Sequence, residues 1–142
     1  MRPSLAPLVV CLLLSGCRRF YDPPVPILTL VPTGMLATGP SAKADEQTMC
    51  LIAGASLQAP VYAHEPTVTI VLVAFTPTPQ TPPGMMLYFN SQMISMDTMR
   101  AQQPEASVYR VVTDRGEREL RVAVPGNSPG MLCVRQVVVV QP

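Results

Sequence analysis

The chain has 142 residues, with Lys+Arg 10 against Asp+Glu 9 and only 13% of residues charged. That length holds one domain with a modest core, and a near-neutral balance without clustered positive charge excludes a nucleic-acid binder, which must displace counterions from phosphates. The 17 prolines, together with many Val and Thr residues, favour extended structure over helix.

At the N-terminus, Arg2 supplies a short positive start, and Leu5 to Leu14 form an apolar run interrupted by Pro7, the pattern of a secretory signal. The run is too short to span a bilayer, which takes roughly 20 apolar residues. It ends in Leu14-Ser15-Gly16-Cys17. This stretch resembles the lipobox of bacterial lipoproteins, in which a small residue precedes a cysteine that is acylated on sulfur and becomes the first residue after cleavage. The resemblance implies that residues 1–16 are a lipoprotein signal peptide and that Cys17 carries a thioether-linked diacylglycerol, usually with a further acyl chain on the new amino group. At roughly 0.8 kcal/mol per buried methylene, two or three such chains form a lasting membrane anchor. Arg18 stands where an aspartate in such lipoproteins favours the inner membrane, so the resemblance implies the outer membrane.

With Cys11 in the signal and Cys17 consumed by lipid, Cys50 and Cys133 remain as a pair in an oxidising compartment, where a disulfide is expected. A metal or redox pair would have CxxC spacing or a histidine nearby, and these two cysteines have neither.

Residues 17–26 read as the acylated N-terminus and a tether, because Pro23, Pro24 and Pro26 favour polyproline II and cannot feed a ladder. The folded domain is then 27–142. Ile27 to Val31 suits an edge strand between prolines, and Thr33 to Glu46 reads as a loop. Thr48 to Ala53 is a strand signal carrying Cys50. Thr67 to Phe75 is the longest run of β-formers and predicts a central strand buried on one face and partly on the other. The proline-rich stretch Thr76 to Gly84 is a loop, and Met85 to Asn90 a short strand. Val108 to Thr113 and Glu117 to Val124 flank Asp114-Arg115-Gly116, a pattern that predicts a bulged hairpin. Pro125 to Gly130 turns the chain into a last strand, Met131 to Val140, holding Cys133. The whole predicts an all-β fold, a single antiparallel β-sandwich. In size and strand count it resembles an immunoglobulin-like domain. It lacks tryptophan and has its second cysteine in the last strand, so the resemblance extends to architecture and not to that family's binding loops.

Chemistry-bearing residues are sparse. His64, beside Glu65, is the single histidine; a small envelope hydrolase would need a serine or carboxylate gathered around it. Asp114, Glu117 and Glu119 sit near Arg115, Arg118 and Arg121 and read as solvated cross-strand ion pairs. Met93, Met96 and Met99 have the spacing of the methionine motifs of exported copper-handling proteins, and thioethers are soft ligands for Cu(I); the same spacing also fits the buried side of a short helix. No cofactor is implied. The expected function is therefore a non-enzymatic outer-membrane lipoprotein that presents its β-sandwich to another envelope protein, with an exported ligand-binding module as the alternative.

Overall fold

The computed structural model describes residues 27–141; the signal segment, Cys17 and the tether lie outside the described residues. The strands are β1 (Ile27–Leu30), β2 (Leu36–Thr38), β3 (Ser41–Lys43), β4 (Met49–Leu51), β5 (Ser56–Ala63), β6 (Thr67–Phe75), β7 (Gly84–Phe89), β8 (Gln92–Thr98), β9 (Glu105–Val112), β10 (Gly116–Ala123) and β11 (Leu132–Val140). They form two antiparallel sheets. Sheet I runs β3-β4-β11-β6-β9, with β1 beside β11 at the end that β4 leaves free; sheet II runs β2-β5-β10-β7-β8. The expected antiparallel β-sandwich is thus present. From β4 onward every connection except the β7–β8 hairpin carries the chain to the opposite sheet, and the resulting orders, 4-11-6-9 over 5-10-7-8, are those of a jelly roll.

Side-chain alternation builds the core. In β6, Val68, Ile70, Leu72 and Ala74 are buried while Thr67, Thr69, Val71, Val73 and Phe75 point outward and are half-buried. In β10, Leu120 and Val122 point inward between Glu119, Arg121 and Ala123. Leu57, Leu72, Leu87, Leu120 and Leu132 are fully buried where the sheets meet, each stabilising the fold by about 1.5–3 kcal/mol through burial. Cys50 and Cys133 are opposed residues of the β4–β11 ladder and are joined by a disulfide. The bridge therefore ties two neighbouring strands of sheet I, one from each end of the chain.

Three expectations change. The segments around Asp114-Arg115-Gly116 are not a hairpin: β9 pairs with β6 in sheet I and β10 with β5 and β7 in sheet II. The turn instead carries the chain between sheets, with Gly116 at φ 130°. Arg118 folds back over it, its guanidinium donating to the carbonyls of Arg115 at 2.9 Å and of Asp114 and Glu117 at 3.2 Å. The methionine stretch is a strand, β8, and not a helix. It pairs with β7 through a two-residue turn, Asn90 and Ser91, both at positive φ, the geometry of a type I′ hairpin. The stretch 33–46 contains β2 and β3, short edge strands, and begins with a 3-10 turn, Pro32–Gly34. Strand β5, in a stretch for which the sequence alone assigns no element, runs unbroken through Pro60. Strand β2 covers β5 only from Ser56 to Gln58, so the missing N–H of Pro60 faces an open edge, where a strand tolerates proline.

Candidate binding faces

The short β2 has a consequence for the surface. Past Gln58 the edge of β5 is uncovered, and a cleft of about 360 Å³ opens there, lined by Leu36, Gln58, Ala59, Pro60, Asn90, Glu117, Arg118 and Glu119. Residues opposed across a ladder share a face, so Gln58 and Pro60 of β5 lie beside Arg121 and Glu119 of β10, and Arg121 beside Tyr88 of β7. The Arg121 guanidinium carbon stands 4.1 Å from the centroid of the Tyr88 ring, a cation–π arrangement that fixes both side chains. The outer face of sheet II thus mixes these polar side chains with Tyr62, Met86, Tyr88, Met93 and Met96. Its cleft offers carboxylates that accept hydrogen bonds, amides that donate and accept, and apolar walls from Leu36 and Pro60.

The outer face of sheet I carries more β-branched residues. Strand β6 presents Thr67, Thr69, Val71, Val73 and Phe75, opposed by Val140, Val138, the exposed Gln136 and Cys133 of β11 on one side and by Val112, Arg110, Val108 and Ala106 of β9 on the other. Ile27 of β1 continues the surface beside Val140. Val108 is 64% and Val112 84% exposed. Arg110 is charged, and Arg135, exposed in the β11 bulge between Val134 and Gln136, adds a second charge beside these positions.

The structure does not bring the three expected methionines together. Met93 and Met96 are exposed, 50% and 59%, on the outer face of sheet II, whereas Met99 is buried in the core. Strand residues three apart normally face opposite ways; here the β7–β8 register shifts between Leu87 and Tyr88, so Met96 opposes Met86 and Met93 opposes Tyr88, all on the outer face. Met99 cannot join them. Among the described residues no group of three or more His, Cys, Asp or Glu side chains could hold a metal ion.

His64 directly follows β5, with its ring 4.7 Å from that of Tyr62. Its backbone N–H donates to Oε1 of Gln141 at 2.7 Å, and Nε2 of Gln141 donates to the Tyr62 carbonyl at 2.9 Å. The buried Gln141 thereby joins the end of β11 in sheet I to the end of β5 in sheet II, and the neighbourhood of His64 is structural. Asp97, on β8, accepts hydrogen bonds from the Tyr109 and Ser95 hydroxyls, both at 3.1 Å. This closes the side of the sandwich between β8 and β9, and partial burial pushes the Tyr109 phenol up.

Asn90 and Gln58 were not legible as site residues, because β5 and the β7–β8 hairpin were not. Asn90 carried a usable signal: Asn-Ser between two apolar runs suits a tight hairpin.

No family model matches the chain, and no curated protein matches its sequence. Solved structures match its shape. The CBM36-1 domain of a multidomain xylanase from the hindgut metagenome of Trinervitermes trinervoides superposes with a TM-score of 0.71 at 9% identity, covering 82% of this chain and 97% of that one. A carbohydrate-binding module CBM36 in complex with calcium and xylotriose gives 0.66 at 10% identity, over 78% and 97%. A family 35 carbohydrate-binding module from Clostridium thermocellum gives 0.63 at 10%, over 80% and 96%. The likeness is one of fold.

Proposed function

We propose that this protein is a non-catalytic binding module, held at the outer membrane by lipid on Cys17, and that its ligand is a glycan of the cell envelope bound in the cleft across β5 and β10. The observation that carries the reading is the lining of that cleft: Gln58, Asn90, Glu117 and Glu119 around the apolar Leu36 and Pro60. A sugar ring presents hydroxyls that donate and accept at once beside an apolar C–H surface, and planar amides and carboxylates set next to aliphatic walls match both. The shared fold supports it, since one structure of that fold holds xylotriose. A protein partner in the envelope is the second reading, favoured by the apolar outer face of sheet I.

The test is calorimetric titration of the full chain with a panel of soluble oligosaccharides, including fragments of peptidoglycan glycan strands. Saturable binding that weakens at least tenfold in Gln58→Ala/Glu119→Ala is expected; each lost hydrogen bond to a charged group corresponds to about 1.5–3 kcal/mol. No binding to any member of the panel, or binding indifferent to the substitutions, contradicts it. The anchor is tested separately: Cys17→Ser moves the protein out of the membrane fraction, and retention there contradicts acylation at Cys17.

A further inference from the structure

We infer that the outer face of the β7–β8 hairpin holds a site for a soft monovalent metal ion, Cu(I), made by the thioethers of Met86, Met93 and Met96. The set differs from the one that spacing alone predicts, because the ladder removes Met99 and adds Met86. Met86 and Met96 are opposed residues, and Met93 opposes Tyr88, the next outward position on β7. Met86 is half-buried, while Met93 and Met96 are exposed. The site stands apart from the cleft across β5 and β10 and does not depend on glycan binding.

The bulge in β8 is the first argument. Met93 and Met96 are three apart, so an unbroken strand would turn one of them toward the core. The register instead shifts where Leu87 and Tyr88 meet Ser95 and Met93, leaving Ile94 as the extra residue. Ile94 packs against the core, and Met93 faces outward beside Met96. Bulges re-aim side chains in this way, and the side chain re-aimed here is a thioether brought onto the face that already holds two others.

Reach is the second. Opposed Cβ atoms such as those of Met86 and Met96 lie about 4.5–5.5 Å apart, and diagonal ones such as those of Met86 and Met93 about 7–8 Å. Met93 and Met96, on either side of the bulge, are separated by two strand steps, roughly 6.6 Å. Each sulfur sits two bonds beyond Cβ on a flexible arm, so the three can close on one ion. The Tyr88 hydroxyl donates to Sδ of Met86 at 3.4 Å, which holds that arm in place and leaves the sulfur a second lone pair.

Donor chemistry is the third argument, and it sets the ion. Thioethers are neutral, soft donors that select Cu(I), whereas zinc takes thiolates, imidazoles and carboxylates and calcium takes oxygens. Cys50 and Cys133 are joined in their disulfide, so thioethers are the soft donors left among the described residues. The outward positions of β7 and β8 are Gly84, Met86, Tyr88, Met93, Met96 and Thr98, none of them a carboxylate or an imidazole. Arg121 lies across Tyr88 from Met93, where a singly charged ion is repelled less than a divalent one.

The full chain carrying Cys11→Ser and Cys17→Ser, so that no free thiol competes, is labelled with carbon-13 in its methionine methyl groups. It is titrated in detergent with Cu(I) under ascorbate, which leaves the disulfide intact, and again with Ag(I), a soft ion that needs no reductant. Methyl shifts at Met86, Met93 and Met96 that saturate at one ion per chain are expected, with the buried Met35, Met85 and Met99 unmoved. Competition with bicinchoninate then reads the Cu(I) affinity, which Met86→Leu/Met93→Leu/Met96→Leu lowers at least tenfold and Met99→Leu leaves unchanged. Leucine keeps the face apolar, and the thermal midpoint checks that the fold is intact. No saturating shift, shifts at Met49 or Met131 in place of the three, or equal affinity in the folded triple variant overturns the inference.

Discussion

Removing the Cys50–Cys133 bridge, by the double substitution Cys50→Ala/Cys133→Ala, tests how this fold is held together. The two cysteines are 83 residues apart in sequence. In the chain-entropy treatment, closing a loop of that length lowers the entropy of the unfolded chain enough to stabilise the fold by about 4.5 kcal/mol at 25 °C. Small domains are stable by only about 5–15 kcal/mol, so the loss is a large fraction of the whole. Both cysteines are also buried, at 8% and 1% exposure, but alanine retains the β-carbon and the strands stay paired through the β4–β11 ladder. The assay is urea unfolding of the oxidised chain, the reduced chain and the double variant. A lower midpoint, together with a steeper slope because the unfolded state expands, is expected for the latter two, which coincide. A loss below about 1 kcal/mol, or a reduced chain that unfolds like the oxidised one, would refute the reasoning.

Three further outcomes follow from single residues. Gln141→Ala leaves the His64 N–H and the Tyr62 carbonyl without their partner and is expected to cost about 1–3 kcal/mol in urea unfolding; Gln141→Glu, which accepts from His64 but when ionised sets a buried carboxylate oxygen against the Tyr62 carbonyl, costs at least as much. Gly130 sits at φ 76° with the Thr81 carbonyl oxygen where a β-carbon would go, so Gly130→Ala is expected to cost more than about 1 kcal/mol, while Gly126→Ala, with open space around it, stays near neutral. The Asp45 carboxylate accepts the backbone N–H groups of Gln47 at 2.8 Å and Thr48 at 2.7 Å, and these bonds hold its carboxyl below the ordinary value. A depressed folded-state pKa contributes stability that is present above the unfolded pKa and is lost as pH falls through the folded one, so Asp45→Ala should flatten the acid limb of midpoint against pH below about pH 4; an unchanged limb contradicts the assignment.

Much of the fold could be read from alternation. Val68, Ile70, Leu72 and Ala74 mark β6 as a core strand, and Leu120 and Val122 do the same for β10, because a period of two leaves one face to bury. The pairing of Cys50 with Cys133 followed from which cysteines remained after the lipobox. What was not legible depended on partners distant in the chain. Pro60 can sit within β5 only because β2 stops at Gln58 and leaves that edge open, and the cleft exists for the same reason. The sequence around Gly116 is equally suited to a hairpin and to a crossing between sheets; only the long-range pairing of β9 with β6 decides it. Met93, Met96 and Met99 kept a spacing of three, but a register shift at Tyr88 and the end of β8 at Thr98 set which sulfurs face outward, and no local pattern announces either.

Glycan binding in the β5–β10 cleft is most directly tested by recording backbone amide spectra of the nitrogen-15-labelled chain during titration with the oligosaccharide that binds best. Progressive shifts at Gln58, Asn90, Glu117 and Glu119, with Val71 and Val138 on the opposite sheet unmoved, are the expected result. Shifts confined to sheet I or to loops remote from Pro60, or a spectrum that does not change, would contradict it.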